Sequence, residues 1–186
     1  MVLAEDEDDL KYMLRKLIEE YGKWGLEVNT GKTQYLAIGV EGADLDIDGR
    51  IIKNVPEYNY LGVLITKDGN DERDILSKVG KGKAITSQLN SSLWNVNIRK
   101  DIKKRIFTSI VESTVTYGAE VWTIKNKGKK KINTVENGFW RRCCRLTLED
   151  RVTNHRIKEM MEVNVPLNEM IEKKTVDVVW PFKKNE

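Results

Sequence analysis

The residues with chemical potential in this 186-residue chain are few, and their spacing removes most of the chemistry they could do. The run GLEVNTGKT at 25–33 comes near the loop that cradles phosphates in nucleotide hydrolases. Five residues rather than four separate Gly25 from Gly31, and the preceding element reads as a helix, so nucleotide hydrolysis is rejected. Asp44, Asp46, Asp48 and Gly49 imitate the opening of a calcium loop. Its twelfth position, however, is Val55 where a bidentate glutamate is required, and the flanks read as strands. Adjacent Cys143 and Cys144 are too strained for an ordinary disulfide and match no zinc spacing. The single histidine, His155, leaves them without an evident base or metal partner in sequence. No metal or cofactor site is expected, and both cysteines are taken as helix packing or surface thiols. Such cysteine usage fits a reducing compartment, so an intracellular protein, nuclear or cytoplasmic, is expected.

Charge is the stronger signal. Lys and Arg number 32 against 29 Asp and Glu, a net +3 that hides a polarity along the chain. Residues 1–77 carry 9 basic and 17 acidic side chains, residues 78–145 carry 16 and 4, and residues 146–186 carry 7 and 8. The middle block, at +12, implies an anionic partner, nucleic acid first, because Lys and Arg gain affinity by releasing phosphate counterions. A solvated helix surface is the competing reading of the same block. The composition, 40% hydrophobic and 33% charged, suits a packed core. No apolar run approaches the roughly 20 residues of a membrane helix, no membrane partner is expected, and the acidic start from Glu5 to Asp9 is no signal peptide. Nothing in the sequence indicates an oligomeric state.

The elements that would position these charges alternate without repeats. Leu10, Met13, Leu14, Leu17, Ile18 and Tyr21 fall at helical spacing and predict a helix ended by Gly22 and Gly25. Leu26–Val28 and Tyr35–Ile38 flank turn residues and predict a hairpin. Further strands are expected over 45–55, around Asp48-Gly49, and over 58–66, closing on Asp68-Gly69-Asn70. Everything afterwards reads helical. One helix would carry Ile75, Val79, Gly82, Thr86, Leu89 and Leu93 on one side and display Lys78, Lys81 and Lys83. The next would stripe Ile102, Ile106, Ile110 and Tyr117. A third would turn Ile132, Val135, Phe139, Cys143 and Leu146 inward. Basic residues interleaved with Trp122, Phe139 and Trp140 could hold a strand by charge and stacking, although each aromatic taken singly is better read as core.

The ordered motifs GLEVNTGKTQYLAIG at 25–39, YNYLGVLIT at 58–66, VTYGAEVWTI at 115–124 and RRCCRLTLEDRVTN at 141–154 resemble non-LTR retrotransposon (LINE-type) reverse transcriptases over roughly residues 1–174. The resemblance implies an α+β fold: residues 1–70 as the C-terminal part of the palm, with short antiparallel strands plus one helix, and 71–174 as a helical thumb-like bundle. It implies that Lys32 lies near the leaving pyrophosphate, where a compact charge suits a developing anion. Tyr60, Leu61 and Gly62 would form the primer-grip turn, the competing reading being an ordinary strand. Lys103, Lys104, Arg105, Lys129, Lys130, Arg141, Arg142 and Arg145 would contact the backbone of an RNA–DNA hybrid or duplex without reading its sequence.

The family's catalytic aspartates, which hold Mg2+ or Mn2+ in the intact enzyme, have no counterpart here. Met1-Val2-Leu3 and Glu5 to Asp9 resemble the family segment just after the catalytic Tyr-x-Asp-Asp turn, so the sequence is expected to open immediately past it. The expected function is that of a reverse-transcriptase fragment without a catalytic centre that retains nucleic-acid binding. A domesticated protein-interaction module and a piece of a longer active polymerase are the alternatives.

Residues 175–186, TVDVVWPFKKNE, leave the family pattern, which continues with a basic-aromatic stretch of the type Arg-Leu-Arg-Trp-Tyr-Gly-His. Shifted by one nucleotide, the codons of Trp180-Pro181 always contain GGC, for glycine. One permitted codon choice restores Arg-Leu-Met-Trp-Tyr-Gly-His-Leu-Lys-Arg-Met directly after Lys174. A single-base change of frame is the expected origin of this tail.

Overall fold

Asp6 starts the first helix, its carboxylate accepting from the N–H of Asp9 at 2.8 Å. Glu7, Asp8 and Asp9 fill the first turn, where negative charge meets the positive end of the helix dipole. This helix, α1, spans Glu7–Lys23. The computed structural model describes residues 1–179, with side chains through Thr175. Trp180 and Phe182 of the expected frameshifted tail therefore lie outside the described residues. The α+β chain divides into two units, 1–60 with 64–70, and 61–63 with the chain from Asp71 onward.

In the first unit α1 packs Leu14, flanked by Leu10 and Ile18, on Leu45, Ile47 and Ile52. Strands β2 (Leu45–Ile47) and β3 (Arg50–Asn54) form the antiparallel hairpin expected around Asp48-Gly49, in the register Leu45↔Ile52 and Ile47↔Arg50. Its turn residues have φ +54 and +82, as a two-residue hairpin favours. The hairpin expected over 26–38 does not form: only β1 (Gln34–Tyr35) is a strand, and it pairs parallel with β3. Leu26 is 58% exposed, so Leu26 and Val28, the two apolar residues of the segment, bury too little to hold a strand. Tyr35 instead gains partners at β3's edge, its hydroxyl donating to the Ala43 carbonyl and accepting from the Asn54 side chain.

The single strand expected over 58–66 is two strands, β4 (Glu57–Tyr60) and β5 (Val63–Thr66), paired as a two-stranded sheet and broken at Leu61-Gly62. The isolated glycine inside an apolar run is the sequence sign of that break.

The second unit is helical: α2 (Glu72–Gln88), α3 (Asn90–Trp94), α4 (Lys100–Ile106), a π-helical stretch Phe107–Glu112, α5 (Ser113–Thr116), a 3-10 turn Ala119–Val121, α6 (Asn126–Cys143), α7 (Asn154–Met161) and α8 (Leu167–Val179). None of the described helices is long and apolar enough to cross a membrane. α6 turns Ile132, Val135, Phe139 and Cys143 into the core as expected, and Trp140 joins them. The Phe107, Phe139 and Trp140 rings cluster with centroids 4.4–5.0 Å apart. Beside them the fully buried Glu136 carboxylate accepts from Lys158 Nζ at 2.6 Å. At the start of α2 the buried Trp122 indole donates to Asp74 at 2.9 Å.

Along α4 to α5 the buried face is Lys103, Phe107, Val111 and Val115. The expected stripe is displaced by one position, leaving Ile110 40% and Tyr117 56% exposed. Both stripes satisfy a helical period, and seating the Phe107 ring among the aromatics of α6 favours the observed one. The π turn, which widens the coil within this segment, is not encoded in periodicity.

Two glycines of α2 test this packing. A Cβ on Gly82 would fall 2.7 Å from Val115 and 3.0 Å from Val135, whereas one on Gly80 meets nothing within 4 Å. Gly82→Ala is expected to lower stability by ~1–2 kcal/mol, overpacking exceeding the helix-propensity gain. Gly80→Ala should raise it by ~0.5–1 kcal/mol. Denaturant midpoints that shift in the same direction for both would contradict the close approach at Gly82.

Candidate nucleic-acid interface

The Leu61-Gly62 turn has φ +48 and +82. A leucine at positive φ is strained by ~1–2 kcal/mol, and this one is 72% exposed. The anchor is Lys78, expected on the surface and found 3% exposed. Its Nζ donates to the Gly62 carbonyl at 2.8 Å and lies 4.8 Å from the Tyr117 ring centroid. Tyr117 also closes on Gly62, where a Cβ would come within 3.1 Å of the ring, and Gly118 closes on Val63 at 2.4 Å in the same sense. Burial holds the Lys78 ammonium below its ordinary value of 10.5, and the Asp74 charge acts the other way. Position 78 falls at i+3 from Ile75 and i−4 from Gly82, so it belongs to the buried stripe, a signal the sequence carried. Tyr60 is half-buried at the end of β4.

The expected phosphate contacts separate into groups. Lys103 is buried, contrary to expectation, with Nζ donating to the Cys143 carbonyl at 3.2 Å. Its place on the Phe107 face puts it among the buried residues of this segment. Arg141 is half-buried and spends its donors on the Thr147 and Val152 carbonyls, both at 3.0 Å, and on Asn154 at 2.9 Å, holding the loop after α6. Arg142 reaches Asn90 at 3.1 Å and the Gly138 carbonyl at 2.9 Å. Lys104 pairs with Glu162, as does Lys100. Lys129 pairs with Glu172 at 2.5 Å.

Arg105, Lys130 and Arg145 are exposed and make no ion pair among the described residues. Arg145, at φ +58, follows α6 in the left-handed position of a helix stop. The Leu146 N–H donates to the Arg141 carbonyl and the Arg145 N–H to that of Arg142, the Schellman pattern in which glycine is usual. Lys32 lies in the first unit, exposed on a turn whose N–H groups are capped by Asn29.

The acidic residues over 44–48 are engaged locally. Asp46 accepts from Gly49 N–H, Asp44 from Asn54 N–H, and Asp48 faces Arg15. Each carboxylate thus serves a different local contact. No group of three or more His, Cys, Asp or Glu among the described residues could hold a metal ion. Burial pushes the Cys143 thiol up to about 12 and raises that of Cys144. His155 stands 3.4 Å from Glu159 on the exposed side of α7.

The chain is 27% identical over 182 residues to a Caenorhabditis elegans protein provisionally named as transposon-derived and uncharacterized. The alignment covers 90% of this chain and 63% of that protein. No family model and no solved structure matches.

Cys143 should resist iodoacetamide at pH 9, where an ordinary thiol is half ionised, and react only on unfolding. Rapid native-state alkylation would contradict its burial. Lys78 offers a second check. The folded chain releases its proton below 10.5 and the unfolded chain near it, so unfolding takes up a proton in that window and stability rises with pH there. Denaturant midpoints of the parent are therefore expected to gain on those of Lys78→Met as pH approaches 10.5, and a flat difference would refute the buried ammonium.

Proposed function

We propose that the chain derives from a transposable element and comprises the end of the palm and the thumb of its reverse transcriptase. It binds template–primer duplex through the backbone and holds no polymerase centre of its own. The observation that carries this reading is the Leu61-Gly62 turn: a strained, exposed backbone bend fixed by a buried lysine. Strain held in this way suits a rigid element placed against a primer end. Similarity to a transposon-derived protein and the order of the four sequence motifs support the same origin. Lys32, Tyr60, Leu61 and Gly62 take the roles that the resemblance gives them. Arg105, Lys130 and Arg145 are the phosphate contacts, Lys103 and Arg141 being committed to the fold.

Binding to an RNA–DNA hybrid should weaken steeply with salt, and each of Arg105→Ala, Lys130→Ala and Arg145→Ala should reduce the log–log slope by ~0.9. Arg145→Gly separates function from folding. It should stabilise the chain by ~0.5–1 kcal/mol, because glycine relieves the left-handed position, and yet bind more weakly. Absence of duplex binding, with capture of a protein partner instead, would favour an interaction module. Extension of a primer by the pure chain with Mg2+ or Mn2+ and nucleotides would refute the absence of a polymerase centre.

A further inference from the structure

Within the second unit a hollow of about 500 Å³ lies between the end of α3, the outer side of α6 and the loop beyond it. Its volume is in the range of small-ligand sites. Trp94 stands at its edge, 36% exposed, and Leu146 and Leu148 line it, the latter 80% exposed. Gly138 lies in its α6 wall. A Cβ there would meet only Arg142 Nη1 at 3.5 Å, an ordinary contact, so packing does not demand glycine at a position where it costs a helix stability. What the glycine provides is an open patch of helix surface on which a flat ring can lie.

Arg142 enters the same hollow. Its guanidinium is held by neutral partners, Asn90 and the Gly138 carbonyl, and meets no carboxylate at ion-pair distance among the described residues. Arg141, tied to three acceptors, fixes the wall that carries Leu146 and Leu148. The hollow thus combines an aromatic edge, apolar sides, a glycine-opened wall and a cation without an anion.

We propose that this hollow takes a single unpaired nucleotide, its base between Trp94 and the Gly138 surface and its phosphate against Arg142. The inference rests on the proposed nucleic-acid-binding function and deepens it, since stacking platforms beside cations hold unpaired bases without regard to sequence. The same chemistry is offered by a base extruded from a bound strand and by a free mononucleotide.

The test uses the full chain with three probes: an RNA–DNA hybrid carrying one unpaired adenosine, the same hybrid fully paired, and free adenosine 5′-monophosphate. The bulged hybrid is expected to bind about tenfold more tightly than the paired one. Trp94→Ala and Gly138→Leu, each checked for native circular dichroism, should both abolish that gain while leaving affinity for the paired hybrid unchanged. Equal affinity of the parent for the two hybrids, or a gain that survives both variants, overturns the proposal. If neither hybrid binds but the mononucleotide does, and Gly138→Leu removes it, the ligand chemistry stands with the free nucleotide as its source, and only the duplex-binding function falls. If no probe binds, both fall.

Discussion

The second unit depends on where one ammonium is buried. Taking Lys78 out of water costs several kcal/mol unless the charge is met, and in this fold the Gly62 carbonyl, the Tyr117 ring and the Asp74 charge meet it. The consequence reaches both ways. α2 cannot shift without losing that carbonyl, and the Leu61-Gly62 turn cannot relax its positive φ angles without withdrawing it. Trp122 and Thr123 are bound to Asp74 and Asp71 at the head of the same helix, which brings the segment carrying Tyr117 and Gly118 to the lysine. An exposed leucine therefore keeps a backbone conformation that it would abandon in isolation.

The basic block shows why a charge count overstates a phosphate-binding surface. A cation with neighbouring carbonyls is structural before it is electrostatic: Lys103 and Arg141 close the ends of helices and loops, as orphan carbonyls require. Lys100 and Lys104 converge on Glu162, and Lys127 and Lys131 on Glu72, so part of the +12 is neutralised by acids outside the block. The long-range field of the remainder persists, but contact belongs to the exposed, unpaired few.

The parts of the fold legible in the sequence are those that local physics decides. α1 was readable because its acidic cap and apolar spacing agree, the β2–β3 hairpin because Asp48-Gly49 permits its turn, and the inward face of α6 because a large aromatic and branched residues fix its phase. The α4–α5 face was not: its two candidate stripes differ by one position, and the choice is made by Phe107 finding Phe139 and Trp140, a contact distant in sequence. β1 is not legible locally because its partner is the edge of β3 rather than its neighbour in the chain. For the candidate interface, the turn at Gly62 came only from the resemblance, the residues themselves reading as one strand over 58–66, and its anchor was hidden because a lysine on a helix is ordinarily solvated. Only the i+3 and i−4 placement of position 78 told otherwise.

The positive-φ residues connect backbone strain to charge. Glu162 stops α7 at φ +51, a position where glycine would be easier, and its carboxylate gathers Lys100 and Lys104. Arg145 stops α6 in the same geometry at the same kind of cost, yet no anion of the described chain answers it. At Glu162 the strain is offset within the molecule. At Arg145 it is not, and on the proposed function the missing anion is a phosphate of the bound strand. Arg145 thus adds a helix stop to the two helix positions, Arg105 and Lys130, that the proposed function uses. A side chain at a left-handed stop leaves a backbone fixed by two hydrogen bonds, so the direction in which its Cα–Cβ bond points is set by the fold while the rest of the side chain stays free to reach its anion.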